Sequence, residues 1–150
     1  MNFRLATKED HTTIVEFQLQ MAWETEKLKL DAKTCCQGVA EIFESPHRGT
    51  YFVAEKDGKV IGSLLIIPEW SDWRNGEVWW IHSVFVIPSE RGKGIFSAFY
   101  QFIQTRCHNE KNVRGLRLYV EKNNIKAQSV YRKVGMTNHH YDLYEWMTNS

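Results

Sequence analysis

The chain has 150 residues, 43% of them hydrophobic, which is enough for one domain with a sizeable core. Its 19 Lys and Arg against 18 Asp and Glu leave a net charge of +1, arguing against nucleic-acid or membrane-surface binding driven by bulk charge. Cys35, Cys36 and Cys107 are odd in number and form no Cys-x-x-Cys, so neither a disulfide framework nor a metal site is expected, and a soluble, cytoplasmic protein without signal peptide or membrane span is.

Residues 2–6 read as a short first strand, after which Thr7 or Asp10 can cap a helix from about His11 carrying Ile14, Val15, Phe17, Leu19 and Met21. That pattern weakens near Trp23, and a second helix through Val39, Ile42 and Phe43 ends before Pro46. Trp23, Glu24 and Glu26, between the two, read either as a solvated connection or as residues facing a pocket. Residues 49–54 and 60–67 are β-rich runs joined through Asp57-Gly58, a strong hairpin signal. Residues 68–76 read as a polar, aromatic loop closed by Asn75-Gly76, and 77–87 as a long strand. A helix over roughly 95–108 follows, with Phe96, Phe99, Tyr100, Phe102 and Ile103 at helical spacing. A strand at 115–120, a helix at 125–134 stopped by Gly135, and a final strand at 141–146 complete one α/β domain without repeats or linkers.

The chemistry concentrates where the long strand ends at Pro88 and gives way to Arg91-Gly92-Lys93-Gly94 before Ile95 and Phe96. Glycines at a strand-to-helix turn either serve the bend alone or let backbone amides reach an anion at the helix N-terminus. Arg91 and Lys93 add positive charge beside it.

Three segments, in order, resemble the GNAT acetyl-CoA-dependent N-acetyltransferases. Residues 4–10 look like that family's first strand and turn; Gly92 and Gly94 fill the glycine slots of its acetyl-CoA signature; and Asn124, Ala127, Tyr131 and Gly135 match its Asn-x-x-Ala-x-x-x-Tyr-x-x-x-Gly segment. Ser89 stands where Gln or Arg is usual, and Met136 where Phe is. Neither change removes a backbone amide. The resemblance implies a central mixed, mostly antiparallel sheet flanked by helices. It implies acetyl-CoA as cofactor, with pyrophosphate on the main chain of Arg91, Gly92, Lys93, Gly94 and Ile95, helped by Phe96. It further implies pantetheine along Phe85 and Val86, and a cofactor contact at Asn124. A homodimer is compatible with the family.

Acetyl transfer to an amine needs a proton acceptor for the ammonium and a proton donor for the departing thiolate. Tyr131 sits in the slot of the family's thiolate-protonating tyrosine. Polyamine acetyltransferases of the family, which the chain partly resembles, carry a base on the strand before the glycine turn. Counting back from Val86 places that slot at His82, whose ordinary pKa near ~6.5 suits the task; one step of register would turn it to the other face. Glu77 and Glu69 are reserves. For the acceptor, Glu69, Trp70, Asp72 and Trp73, with Trp23, Glu24 and Glu26, can surround a cation with carboxylates and aromatic faces; Arg74 can pair with Asp72 or bind a substrate carboxylate. These readings converge on N-acetylation of a small-molecule primary amine. An acyl-CoA-binding regulatory module with negligible transfer and a protein N-acetyltransferase are the alternatives.

Overall fold

Five strands form one mixed sheet in the computed structural model, which describes residues 1–148. Strand β1 (Asn2–Leu5) pairs antiparallel with β2 (Thr50–Lys56), β2 with β3 (Lys59–Ser71), and β3 with β4 (Gly76–Val86); β5 (Val113–Arg117) runs parallel to β4. The helices are α1 (His11–Glu26), α2 (Ala32–Glu44), α3 (Ile95–Asn109) and α4 (Ile125–Lys133). The chain divides into two compact units: Met1–Leu118, with the sheet and α1 to α3, and Tyr119–Ser150, with α4.

In the first unit the period of two along the strands sorts side chains onto two faces. Tyr51, Val53 and Leu65 point to one, where Ile14 and Val15 of α1 and Val39 of α2 bury them. Phe52 points to the other and meets Phe102 at 5.8 Å, while Phe3 meets Phe99 at 4.9 Å. Thus α1 and α2 cover one face and α3 the other, and α3 is the crossover that a parallel β4–β5 pair requires. Phe99 and Ile103, both fully buried, contribute on the order of 1.5–3 kcal/mol each by leaving water. The start of α1 is fixed by charge: Arg4 donates to Asp10 Oδ2 at 2.8 Å and to Glu55 Oε2 at 2.9 Å, and the same Asp10 oxygen accepts from Thr7 N.

The Asp57-Gly58 hairpin forms as expected, with both residues at positive φ (51° and 74°), the signature of a tight two-residue turn. The expected loop at 68–76 does not. Strand β3 continues through Pro68, Glu69 and Trp70 to Ser71, and only 72–75 turns. Pro68 is tolerated because the pairing of β2 ends at Ile66, so a missing N–H on that side breaks no ladder bond. Helix α1 likewise runs past Trp23 to Glu26, where Lys27 at φ 53° closes it and Leu28 N bonds back to Ala22 O.

In the second unit, Asn124 Oδ1 caps α4 by accepting from Ala127 N at 3.1 Å, and Gly135 at φ 93° ends it. The expected strand at 141–146 is absent: these residues take no regular structure, and Tyr144 and Trp146 are 91% and 86% exposed. Alternation alone makes no ladder. No described helix is long and apolar enough to cross a membrane.

Candidate functional site

Strand β4 is paired on both sides for only part of its length. Its register with β5 ends at Trp80 opposite Arg117, and among the described residues no strand pairs with 81–86 on that side. On the other side the ladder with β3 jumps: Leu65 faces His82 but Ser63 faces Phe85, so β4 carries one extra residue there. Ser83, at φ 53°, marks this β-bulge. A non-glycine residue in that region stores roughly 1–2 kcal/mol of strain. The bulge changes which way side chains point. His82 and Phe85, three apart, would face opposite sides of a regular strand; here His82 lies opposite Leu65 on the α1–α2 face, and Phe85 packs on Phe17 of α1 with ring centroids 4.7 Å apart.

Beyond β4 the chain makes a short 3-10 turn at Pro88–Glu90 and then passes through Gly92 and Gly94, both at φ 76°, into α3. A Cβ on either glycine would meet nothing within 4 Å. The glycines are therefore demanded by the sign of the backbone rather than by crowding. The first amides of α3 point out of the helix start, where orphan donors and the dipole favour an anion. The flanking cations do not wait there with free charges. Lys93 pairs with Glu90 at 3.3 Å, as does Lys56 at 3.1 Å. Arg91 donates from Nε to Val86 O at 2.7 Å and from Nη2 to Glu24 Oε2 at 2.8 Å, with its guanidinium 5.2 Å from the Phe85 ring centroid.

His82 is half-buried and its ring stacks on Trp80 at 6.1 Å and 21°. Burial holds the imidazole below its ordinary value, so it is neutral at pH 7. The reserve carboxylates differ in place. Glu77 lies opposite Trp70, on the face away from His82, and accepts from Trp79 Nε1 at 3.4 Å. Glu69 shares the His82 face but is paired with Arg117 at 3.2 Å.

The residues expected to gather round a cation are dispersed. Trp70 points to the α3 face, and Asp72 and Trp73 sit at the hairpin tip, where Asp72 accepts from Trp73 N at 2.9 Å. That tip and the glycine turn lie at opposite ends of an 11-residue strand, about 33 Å apart at the usual rise. Trp23, Glu24 and Glu26 do share the last turn of α1. Burial alone would raise the Glu24 carboxyl, but hydrogen bonds from Gln20 and Arg91 outweigh it and hold it low. Glu26 is exposed.

In the second unit, Tyr131 lies within α4 and is half-buried, and burial pushes its phenol up, keeping it protonated at neutral pH. The carboxamide oxygen of Asn124 is engaged in capping that helix. Two features of the first unit escaped the sequence reading. The Ser83 bulge depends on strand pairing and has no residue signature. The Arg91–Glu24 bond joins positions far apart in sequence, and only their opposite charges hinted at it.

A model of the acetyltransferase (GNAT) family matches residues 9–136. A protein of Methanocaldococcus jannaschii described as an uncharacterized N-acetyltransferase is 32% identical over 93 residues, covering 62% of this chain and 56% of that one; the chain thus spans little more than half the length of this curated relative. A crystal structure of a possible acetyltransferase from Clostridium difficile 630 superposes with a TM-score of 0.91 at 37% identity, covering 98% of this chain and 97% of the other. A predicted acetyltransferase from Clostridium acetobutylicum, solved with acetyl-CoA, shares the fold at a TM-score of 0.74 and 18% identity, covering 99% and 95%.

Proposed function

The chain belongs to the acetyltransferase (GNAT) family, and from that premise we propose that it moves the acetyl group of acetyl-CoA directly to a primary amine of a small molecule. The observation that carries the reading is the continuity of β4: past the end of its register with β5 at Trp80 it runs straight into the positive-φ glycine turn at the start of α3.

The residues present fit the cofactor. Main-chain amides from Arg91 to Ile95, with Phe96 in the first turn of α3, would hold pyrophosphate, and the edge at Phe85 and Val86, where Val86 O now accepts from Arg91 Nε, would take an extended amide-bearing arm as a strand takes a neighbour. Bound acetyl-CoA supplies a thioester carbonyl, the electrophile of the reaction. A main-chain N–H near Phe85 or Val86 would be the preorganised donor for oxygen at that carbon. His82, neutral through burial, accepts the proton of the acceptor ammonium, directly or through water. Tyr131 is the proton donor to the leaving thiolate, a role that rests on its place in the family segment and on a phenol kept protonated.

Two measurements test this. Titration calorimetry with acetyl-CoA reads the cofactor half, and release of free thiol across a panel of amines reads the transfer half. Binding with amine-dependent thiol release is expected. Absence of acetyl-CoA binding would overturn the whole reading; tight binding with no release for any amine would replace it with a cofactor-sensing module.

A further inference from the structure

The 3-10 turn after β4 folds the chain back on the strand it has just left. Glu90 N bonds Ile87 O at 3.0 Å and Arg91 N bonds Pro88 O at 3.2 Å, which brings the Arg91 side chain alongside Val86. The direction of the Val86 carbonyl follows from its neighbour. Ile87 N donates to Ile61 O at 2.9 Å, so Ile87 turns its main-chain groups toward β3, and strand alternation turns those of Val86 the other way. That is the side on which the register with β5 has stopped at Trp80. Val86 O is therefore an acceptor on the edge of β4, and Arg91 Nε reaches it at 2.7 Å.

Two further contacts hold the guanidinium, and a third steadies its partner. Arg91 Nη2 donates to Glu24 Oε2 at 2.8 Å, the guanidinium carbon lies 5.2 Å from the Phe85 ring centroid, and Gln20 Nε2 donates to the other Glu24 oxygen at 2.9 Å. One planar fork thus ties α1 to the last residue of β4, a geometry that lysine lacks. The tie is light, because the two side chains are 39% and 31% exposed and solvent screens the pair.

We propose that the Arg91 side chain is a stand-in for the cofactor arm: Arg91 Nε gives up Val86 O to an amide N–H of that arm when acetyl-CoA binds. Glu24 is a positioning residue that acts through Arg91 and sets how readily the exchange occurs. One N–H···O bond replaces another, so the edge acceptor is never left without a donor. The inference rests on the cofactor half of the reading above and adds a control on it from α1.

Calorimetry compares acetyl-CoA with 3′-phospho-ADP, which carries the nucleotide and phosphates but no arm. In Glu24→Gln, acetyl-CoA should gain about two- to fivefold in affinity relative to 3′-phospho-ADP. The change in charge acts on both ligands, whereas only the arm contends for Val86 O. Arg91→Lys, which keeps the charge but not the fork, should show a similar relative gain. In the wild type, nitrogen NMR should find the Arg91 Nε–H still hydrogen-bonded with 3′-phospho-ADP and released with acetyl-CoA. Equal responses of the two ligands, a loss of acetyl-CoA affinity in Arg91→Lys, or an Nε–H signal unmoved by acetyl-CoA would each overturn the exchange. Absence of acetyl-CoA binding to the wild type and both variants would instead overturn the cofactor reading itself.

Discussion

Replacing Gly94 by alanine isolates the backbone contribution of the anion turn. Gly94 sits at φ 76°, and a Cβ there would meet no atom within 4 Å, so no collision enters the calculation. Forcing an L-residue into the left-handed region costs roughly 1–2 kcal/mol. Alanine also narrows the unfolded ensemble, which returns about 0.4–1 kcal/mol. The net loss is about 1 kcal/mol, or roughly 2–4 °C in Tm for a chain of this size. Gly94→Asn should recover part of it, because asparagine tolerates that region. If the alanine variant instead relaxes by flipping the turn, the loss moves from stability to cofactor affinity, about fivefold for the same ~1 kcal/mol. Gly62→Ala is the contrasting case: its Cβ would lie 2.7 Å from Phe85 O, so β4 itself must shift and stability should fall further. Thermal melts and acetyl-CoA titrations on the three variants decide the matter. A Gly94→Ala protein equal to wild type in both would refute the claim that positive φ, rather than space, selects glycine.

For Tyr131→Phe, kcat should fall at least tenfold while acetyl-CoA affinity changes less than twofold; a wild-type kcat removes the residue as acid. His82→Gln should abolish the acidic limb of the kcat/KM profile. Because burial lowers His82, the unfolded chain takes a proton first, so wild-type stability should fall as pH drops below about 6.5, and chemical denaturation at several pH values should find this component missing in the variant. Asp10→Asn, which leaves Arg4 without its nearly buried partner, should lower stability by about 1–3 kcal/mol in urea melts. The hydrogen bond from Arg4 depresses the Asp10 carboxyl, so its contribution is complete above about pH 3.9 and is lost as pH falls through its lower folded value; an equal acid sensitivity in Asp10→Asn would contradict that assignment.

What was legible in the sequence was whatever a local rule decides. Asp57-Gly58 specified its hairpin because only certain residues accept two successive positive φ angles, and Gly92 and Gly94 announced a turn for the same reason. Helix α3 declared itself through Phe99, Tyr100 and Ile103, whose spacing is that of one buried stripe. The misreadings arose where pairing between distant segments overrules local preference. Pro68 looks like a strand breaker until β2 is seen to have ended, and the aromatic alternation at 141–146 looks like a strand although those residues take no regular structure. The carboxylates read as a cation site stand apart because the extended β3 carries Asp72 and Trp73 to the hairpin tip, and Arg91 and Arg117 hold Glu24 and Glu69.

The extra residue at Ser83 gives β4 something like a reading frame. Upstream of it the strand is decoded in one phase, with Ile81 on the α3 side and His82 on the α1 side; downstream the phase is inverted, which is how Phe85 reaches Phe17. Removing Ser83 would scarcely change composition or hydropathy and would even straighten the strand. The shortened strand would pair regularly with β3, Leu65 still opposite His82 and Ser63 still opposite Phe85. With only Val84 between them, His82 and Phe85 would share the α1 side as ordinary i and i+2 neighbours, and only the positive-φ kink between them would be gone. A single deleted serine would thus keep both side chains in frame, whereas ironing the strand flat with Ser83 retained would put them on opposite sides.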